Sequence, residues 1–146
     1  MEKTDRITIT ARYAETDMMG IIHHSVYPVW FEAARTHFIK STGVKYSELE
    51  KSGIMLPLSE LNCKYFHPVH YEDEVTIETI VSKLSFAKIE FSYRAVIDGK
   101  IMAQGSTVHG FVDSSSFRPL NIKKKDPALY EILKERICTD WCETDG

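Results

Sequence analysis

The chain has no apolar run of the roughly 18 or more residues that a membrane-spanning helix needs, so no membrane span is expected in its 146 residues. Its first residues, Met1-Glu2-Lys3-Thr4-Asp5-Arg6, are followed by no apolar segment, which argues against a secretory signal and makes the cytoplasm the expected compartment. Cysteine is scarce and odd in number: Cys63, Cys138 and Cys142 do not make a disulfide framework. Cys138 and Cys142 stand four apart, but no His/Cys pair nearby completes a four-ligand zinc site. Cys63 reads as a small packed hydrophobe. Excess charge of one sign is also missing. The formal net charge is -3 with both signs interspersed, which excludes a sequence-independent nucleic-acid surface. The one basic cluster, Lys123-Lys124-Lys125, reads as a solvated turn before a helix. No Gly-rich phosphate loop occurs, so nucleotide hydrolysis and hydride transfer lack support and no cofactor is implied. His67-Pro68-Val69-His70 beside Glu72, Asp73 and Glu74 looks like a metal patch at first sight. Pro68 breaks the strand ladder there and the carboxylates precede a strand as loop residues do, so no metal site is expected.

What is present is ordinary globular composition, 43% hydrophobic and 27% charged, in one domain spanning residues 1–146 that is long enough to bury its own core. Arg6 to Tyr13 alternates in polarity with β-branched residues prominent and predicts a strand. Tyr27, Trp30, Phe31, Ala34 and Phe38 recur at helical spacing, with Pro28 in the first turn, and predict a helix from Val26 to Thr42 that stops at Gly43. Val29 and Ala33 extend its apolar surface, so this helix should be wrapped by other structure. A short helix is predicted from Lys45 to Lys51. Strands follow: Leu61 to Phe66, the alternation around Val75 to Ile80, Lys88 to Ile97, and Lys100 to Val112 after an Asp98-Gly99 hairpin turn. Leu129, Ile132, Leu133 and Ile137 predict a last helix from Pro127 to Cys138. Strand, long helix and antiparallel meander make an α+β order in which one curved sheet can wrap one central helix.

The densest chemistry lies between the first strand and the long helix. Asp17 sits in a loop with Gly20, and the helix begins just after His24 and Ser25. First-turn N–H groups lack intrahelical partners and favour negative charge in front of them, so they can form an oxyanion hole. A carboxylate across a substrate carbonyl can attack it or activate a water; Asp17 suits both, although an Asp in a loop also serves as a turn former. Glu32 and Arg35 are spaced to pair across one helical turn.

Tyr13, Thr16, Asp17, Gly20, His24, Tyr27 and the segment Phe31-Glu32-Ala33-Ala34-Arg35 match, in order and spacing, the signature of the 4-hydroxybenzoyl-CoA thioesterase-like branch of the hotdog-fold acyl-CoA thioesterases, which the chain resembles over roughly residues 5 to 135. The resemblance implies a hotdog fold and hydrolysis of an acyl-CoA to free acid and CoA. It implies Asp17 as catalytic carboxylate and the backbone N–H of His24 as the group that polarises the thioester oxygen. It further implies substrate contacts from Tyr13, Thr16, Gly20, His23 and Tyr27, and from Lys83 and Lys88 on a strand-to-strand turn. A homodimer with sites at the interface, or a homotetramer, is the implied assembly. Val26 departs from the Asn that relatives commonly carry, and His23 stands where an aromatic residue is frequent. The alternative is a non-catalytic acyl-CoA or acyl-carrier-protein sensor with the same pocket. The Gly-Asp-x-Asn-Pro motif of hotdog hydratases and the His-Phe-Pro motif of dehydratases are both absent.

Overall fold

A computed structural model describes residues 2–139 and Trp141. The elements are β1 (Asp5–Thr10), α1 (Val26–Ser41), α2 (Tyr46–Lys51), β2 (Ile54–Met55), β3 (Leu58–Tyr65), β4 (Glu74–Leu84), β5 (Lys88–Ile97), β6 (Lys100–Gly110), β7 (Val112–Asp113), α3 (Ile122–Lys125) and α4 (Pro127–Glu135). Five strands form one antiparallel sheet in the order β1-β4-β5-β6-β3, and β2 pairs with β7. Register slips within the β4–β5, β5–β6 and β3–β6 pairs mark bulges, which bend strands. The sheet lies against α1, as the α+β hotdog expectation requires. Among the described residues no helix is long and apolar enough to cross a membrane.

Period-two patterning places the core. Ile89, Phe91, Tyr93 and Ala95 of β5 and Ala103, Gly105, Thr107 and His109 of β6 point to one buried face, while their neighbours stay partly exposed. Against them α1 buries Tyr27, Trp30, Phe31, Ala34, Phe38 and Ile39. Phe31 stacks on Tyr93 with ring centroids 4.4 Å apart, and Phe38 meets Phe91 edge-on at 5.7 Å. Gly105 makes room for this contact: an added Cβ would lie 2.7 Å from the Phe31 ring and closer still to the carbonyl oxygen of Asn62 on β3.

Several expected boundaries move, each for a local reason. The first strand ends at Thr10, because the Glu15 carboxylate accepts the Arg12 N–H at 2.8 Å and winds Tyr13–Glu15 into a 3-10 turn. The strand expected through Val112 breaks at Phe111, beyond which Val112 leaves the main sheet to pair with Met55. The last helix stops at Glu135; Ile137 bridges Val81 in parallel, and the Cys138 N–H donates to the Val81 carbonyl at 2.8 Å. Cys142 lies outside the described residues. The three lysines belong to the short helix α3, whose N-cap Asn121 accepts the Lys124 N–H. Val29 and Ala33 are exposed, because the sheet packs on the Trp30–Phe31–Ala34 side of α1 alone.

Arg35 turns to the core rather than to Glu32. Its guanidinium donates to the Tyr93 hydroxyl at 3.1 Å, Tyr93 bonds Thr107 Oγ1 at 2.6 Å, and Thr107 bonds His109 Nε2 at 2.9 Å. His109 Nδ1 lies 3.0 Å from the Leu56 carbonyl, which can only accept, so Nδ1 carries the proton. The chain of donors then runs one way, from Arg35 to a neutral His109 whose Nε2 accepts. A second proton on His109 would set two donors against each other. Burial, with the Arg35 charge nearby, depresses its pKa from 6.5 to about 4. An unfolded chain therefore binds this proton below pH 6.5 while the folded chain does not until about 4, so stability is full above 6.5 and falls across that window. The urea midpoint should drop between pH 7 and pH 4.5, and His109→Gln should flatten that slope; equal slopes for the two proteins would remove His109 as its source.

Candidate active site

The Asp17 loop is closed by backbone pairing on both sides. Thr16 and Ile22 form an antiparallel bridge, the Asp17 N–H donates to the Ile21 carbonyl at 2.8 Å, and the Gly20 N–H donates to the Asp17 carbonyl at 3.0 Å. Gly20 takes φ 79°, which a side chain would oppose. One carboxylate oxygen of Asp17 accepts the Met19 N–H at 2.8 Å, so Asp17 does form a local turn. Its other oxygen has no hydrogen-bond partner among the described residues and remains available for chemistry.

Two clamps carry this loop onto the start of α1. The first is Glu15, whose side chain is only 9% exposed. Its carboxylate accepts the Trp30 indole N–H at 3.1 Å as well as the Arg12 N–H, and its backbone carbonyl accepts the His23 N–H at 2.8 Å. The second is the His23 imidazole. Its Nδ1 accepts the Ser25 N–H at 3.1 Å and lies 2.7 Å from the Ser25 hydroxyl, while the His23 carbonyl accepts the Val26 N–H at 3.0 Å. These bonds occupy the amides on either side of His24, whose own N–H has no partner among the described residues. Tyr65, the last residue of β3, donates its hydroxyl to the His24 carbonyl at 2.8 Å.

A cavity of about 350 Å³ reaches both Asp17 and His24. Asp17 and His24 lie in its wall together with Ile22, Tyr27, Tyr65 and Phe66, and His67 and Pro68 complete one side. The walls are mainly apolar and the polar groups few, the usual make-up of a small-molecule site. Burial raises the Tyr27 phenol to about 12 and partial desolvation raises that of the half-exposed Tyr65 to about 12, each with the Cys63 thiol nearby as a lesser cause, so both remain protonated at neutral pH.

The structure brings Asp17, His24 and Tyr27 to this cavity and uses Gly20 to turn the loop. Tyr13 and Thr16 share with Asp17 and Met18 an open depression of about 770 Å³, and the Tyr13 ring lies tilted against that of Tyr71 with centroids 5.5 Å apart. His23 does not line the cavity; its ring is spent on the helix start. Lys83 borders a separate hollow with Glu90 and Arg94, and neither Lys83 nor Lys88 reaches the Asp17 cavity wall. Val26 packs against the core and does not line the cavity either. Glu15, Tyr65, Phe66 and the cavity role of His67 carry no signal in the sequence, because their partners are brought close only by the fold.

Comparison with known proteins gives the family. The model of the thioesterase-like superfamily matches residues 11–134. YneP of Bacillus subtilis (strain 168), provisionally named an acyl-CoA thioesterase, is 36% identical over 131 residues, 87% of this chain and 95% of its own length. The acyl-CoA thioesterase YbgC of Haemophilus influenzae is 25% identical over 84% of this chain and 90% of its own. Among solved structures, a DHNA-CoA thioesterase from Staphylococcus aureus superposes with a TM-score of 0.86 at 33% identity, covering 90% of this chain and 89% of that one. The chain belongs to the thioesterase-like superfamily, among the hotdog thioester hydrolases that include the acyl-CoA thioesterases.

Proposed function

We propose that this chain hydrolyses the thioester of an acyl-CoA to a free carboxylic acid and CoA, with Asp17 as its catalytic carboxylate and the His24 N–H as oxyanion donor. The reading is carried by one observation: Asp17, with an unbonded carboxylate oxygen, and His24, with an unbonded amide beside a helix start, line the same apolar cavity. The apolar wall receives the acyl group, and the His24 N–H, backed by the α1 dipole, stabilises the oxygen that becomes negative as the carbonyl is attacked. Two routes fit. Asp17 attacks the carbonyl carbon, CoA leaves as thiolate, and water cleaves the mixed anhydride; or Asp17 takes a proton from the water that attacks. Single turnover in oxygen-18 water tests for the first route, since label found in the Asp17 carboxylate requires the anhydride, cleaved at the Asp17 carboxyl carbon. The names of YneP and of the staphylococcal enzyme support CoA as the carrier. Lys83 and Lys88 are retained as contacts for the CoA phosphates on charge alone. An acyl-CoA panel, aliphatic and aromatic, read by thiol release, tests the activity; no release from any member would refute it.

The proposed assembly is a homodimer with a site at each end of the interface, or a tetramer built from it. β3 is one edge of the sheet, β1 being the other, and it exposes Leu58, Leu61 and Tyr65 by 53, 47 and 49%, with Phe66 beside it at 51% and Val29 of α1 at 61%. An edge strand with unpaired backbone groups and exposed apolar side chains is a surface for another strand to cover. Light scattering should give at least twice the 16.8 kDa chain mass at micromolar concentration. A value that stays at 16.8 kDa would remove the shared-site arrangement. The cytoplasm is the proposed compartment, consistent with the small and odd number of cysteines.

A further inference from the structure

We infer that Tyr65 is a positioning residue for the oxyanion donor: through its hydroxyl it holds the peptide after His24, and together with the bond from the Val26 N–H to the His23 carbonyl it fixes the direction of the His24 N–H. This rests on the proposed thioester hydrolysis. The bonds on the N-terminal side of His24 come from the loop and the helix start themselves, namely His23 N–H to Glu15 and His23 carbonyl to the Val26 N–H. On the C-terminal side the local hold is a single bond, from the Ser25 N–H to His23 Nδ1 at 3.1 Å. Ser25, the N-cap of α1, makes no side-chain bond to the first helical amides, and its hydroxyl is turned to His23. The carbonyl of that same peptide, His24 C=O, is held from a distant strand by Tyr65, at 2.8 Å.

The Tyr65 ring is set for this task. It meets the ring of Tyr27 edge-on with centroids 5.0 Å apart, and Tyr27 is itself buried in the first turn of α1. Partial desolvation and the neighbouring Cys63 and Tyr27 keep the phenol protonated, so the donor persists through neutral and mildly alkaline pH. Tyr65 also ends β3, where the ladder to β6 stops at the pairing with Ala103 and the chain turns toward His67. One residue therefore ties the sheet edge, the cavity wall and the oxyanion amide together. A donor to a developing oxyanion is worth most when it is aimed before the reaction, and removing one costs on the order of a hundredfold to a thousandfold in rate. Loosening its aim should cost less than deleting it.

Tyr65→Phe removes the hydroxyl and keeps the ring. With the acyl-CoA that the parent hydrolyses best, kcat should fall about tenfold or more while KM changes less than threefold. In a 1H–15N spectrum the His24 amide should shift and exchange faster with solvent, while the Met19 and Gly20 amides of the Asp17 loop stay as in the parent. Both results together support the inference. A kcat within twofold of the parent overturns it, as does a lowered kcat with an unmoved His24 amide or with equal movement of the Asp17-loop amides. If the parent itself releases no thiol from any acyl-CoA, the activity has failed instead; the His24 amide then still reports whether Tyr65 holds that peptide.

Discussion

Asp17→Asn is expected to lower kcat by about a hundredfold to ten-thousandfold, the range that a general base contributes, with little change in melting temperature. The amide oxygen of Asn can still accept the Met19 N–H that Asp17 Oδ1 accepts at 2.8 Å, so the turn should survive. Lost is the charge of the carboxylate, whose second oxygen has no hydrogen-bond partner among the described residues. Attack on the carbonyl and proton abstraction from water both require that anion, so the two routes predict the same loss and the variant tests the site whichever holds. KM should stay within a few-fold, because the apolar wall of Ile22, Tyr27, Tyr65 and Phe66 is untouched. Steady-state kinetics beside a thermal melt separates the roles. A variant that turns over at the parent's rate would show that Asp17 is not the catalytic group. A variant that unfolds early would show that its turn bond is what matters.

Gly105→Ala should be the most damaging one-carbon change in the core. The new methyl would press on the Asn62 carbonyl oxygen, which is backbone of the adjacent strand, and on the Phe31 ring at 2.7 Å. Neither can yield cheaply: Phe31 is fully buried and stacked on Tyr93 at 4.4 Å, and moving Asn62 pulls β3 from β6 near the middle of their ladder. Overpacking of this kind costs typically about 1–3 kcal/mol, which for a domain of this size lowers the melting temperature by roughly 2–4 °C per kcal/mol. Activity should fall with it, because β3 also carries Tyr65. Chemical denaturation checks the value, and a stability equal to the parent's would mean that β3 or α1 shifts at no cost.

How legible the protein was in its sequence depends on the distance between partners. Helices and strands came from periodicity within a few residues, so α1, α2 and the three long antiparallel strands fell close to their expected places. Ends were less certain where a remote partner decides them. Thr10 closes β1 because Glu15 caps the next turn, and the last helix ends at Glu135 with Ile137 drawn to Val81 on β4. The helix spacing also suggested apolar surface on more than one side of α1, but only the fold shows that Val29 and Ala33 are left uncovered in the single chain.

The sequence by itself determined the α+β class, the Asp17 loop, the helix start at His24 and the thioesterase resemblance, because those features are set by residues within about two dozen positions of one another. Only the tertiary structure decided which groups share the cavity. It brings Tyr65 to His24 across 41 residues and the Glu15 carboxylate to the Trp30 indole across 15. It also sends Arg35 to Tyr93 rather than Glu32, and leaves Lys83 and Lys88 outside the Asp17 cavity wall. Strand order and register set these contacts, and they arise from burying the whole core at once, not from any local pattern along the chain.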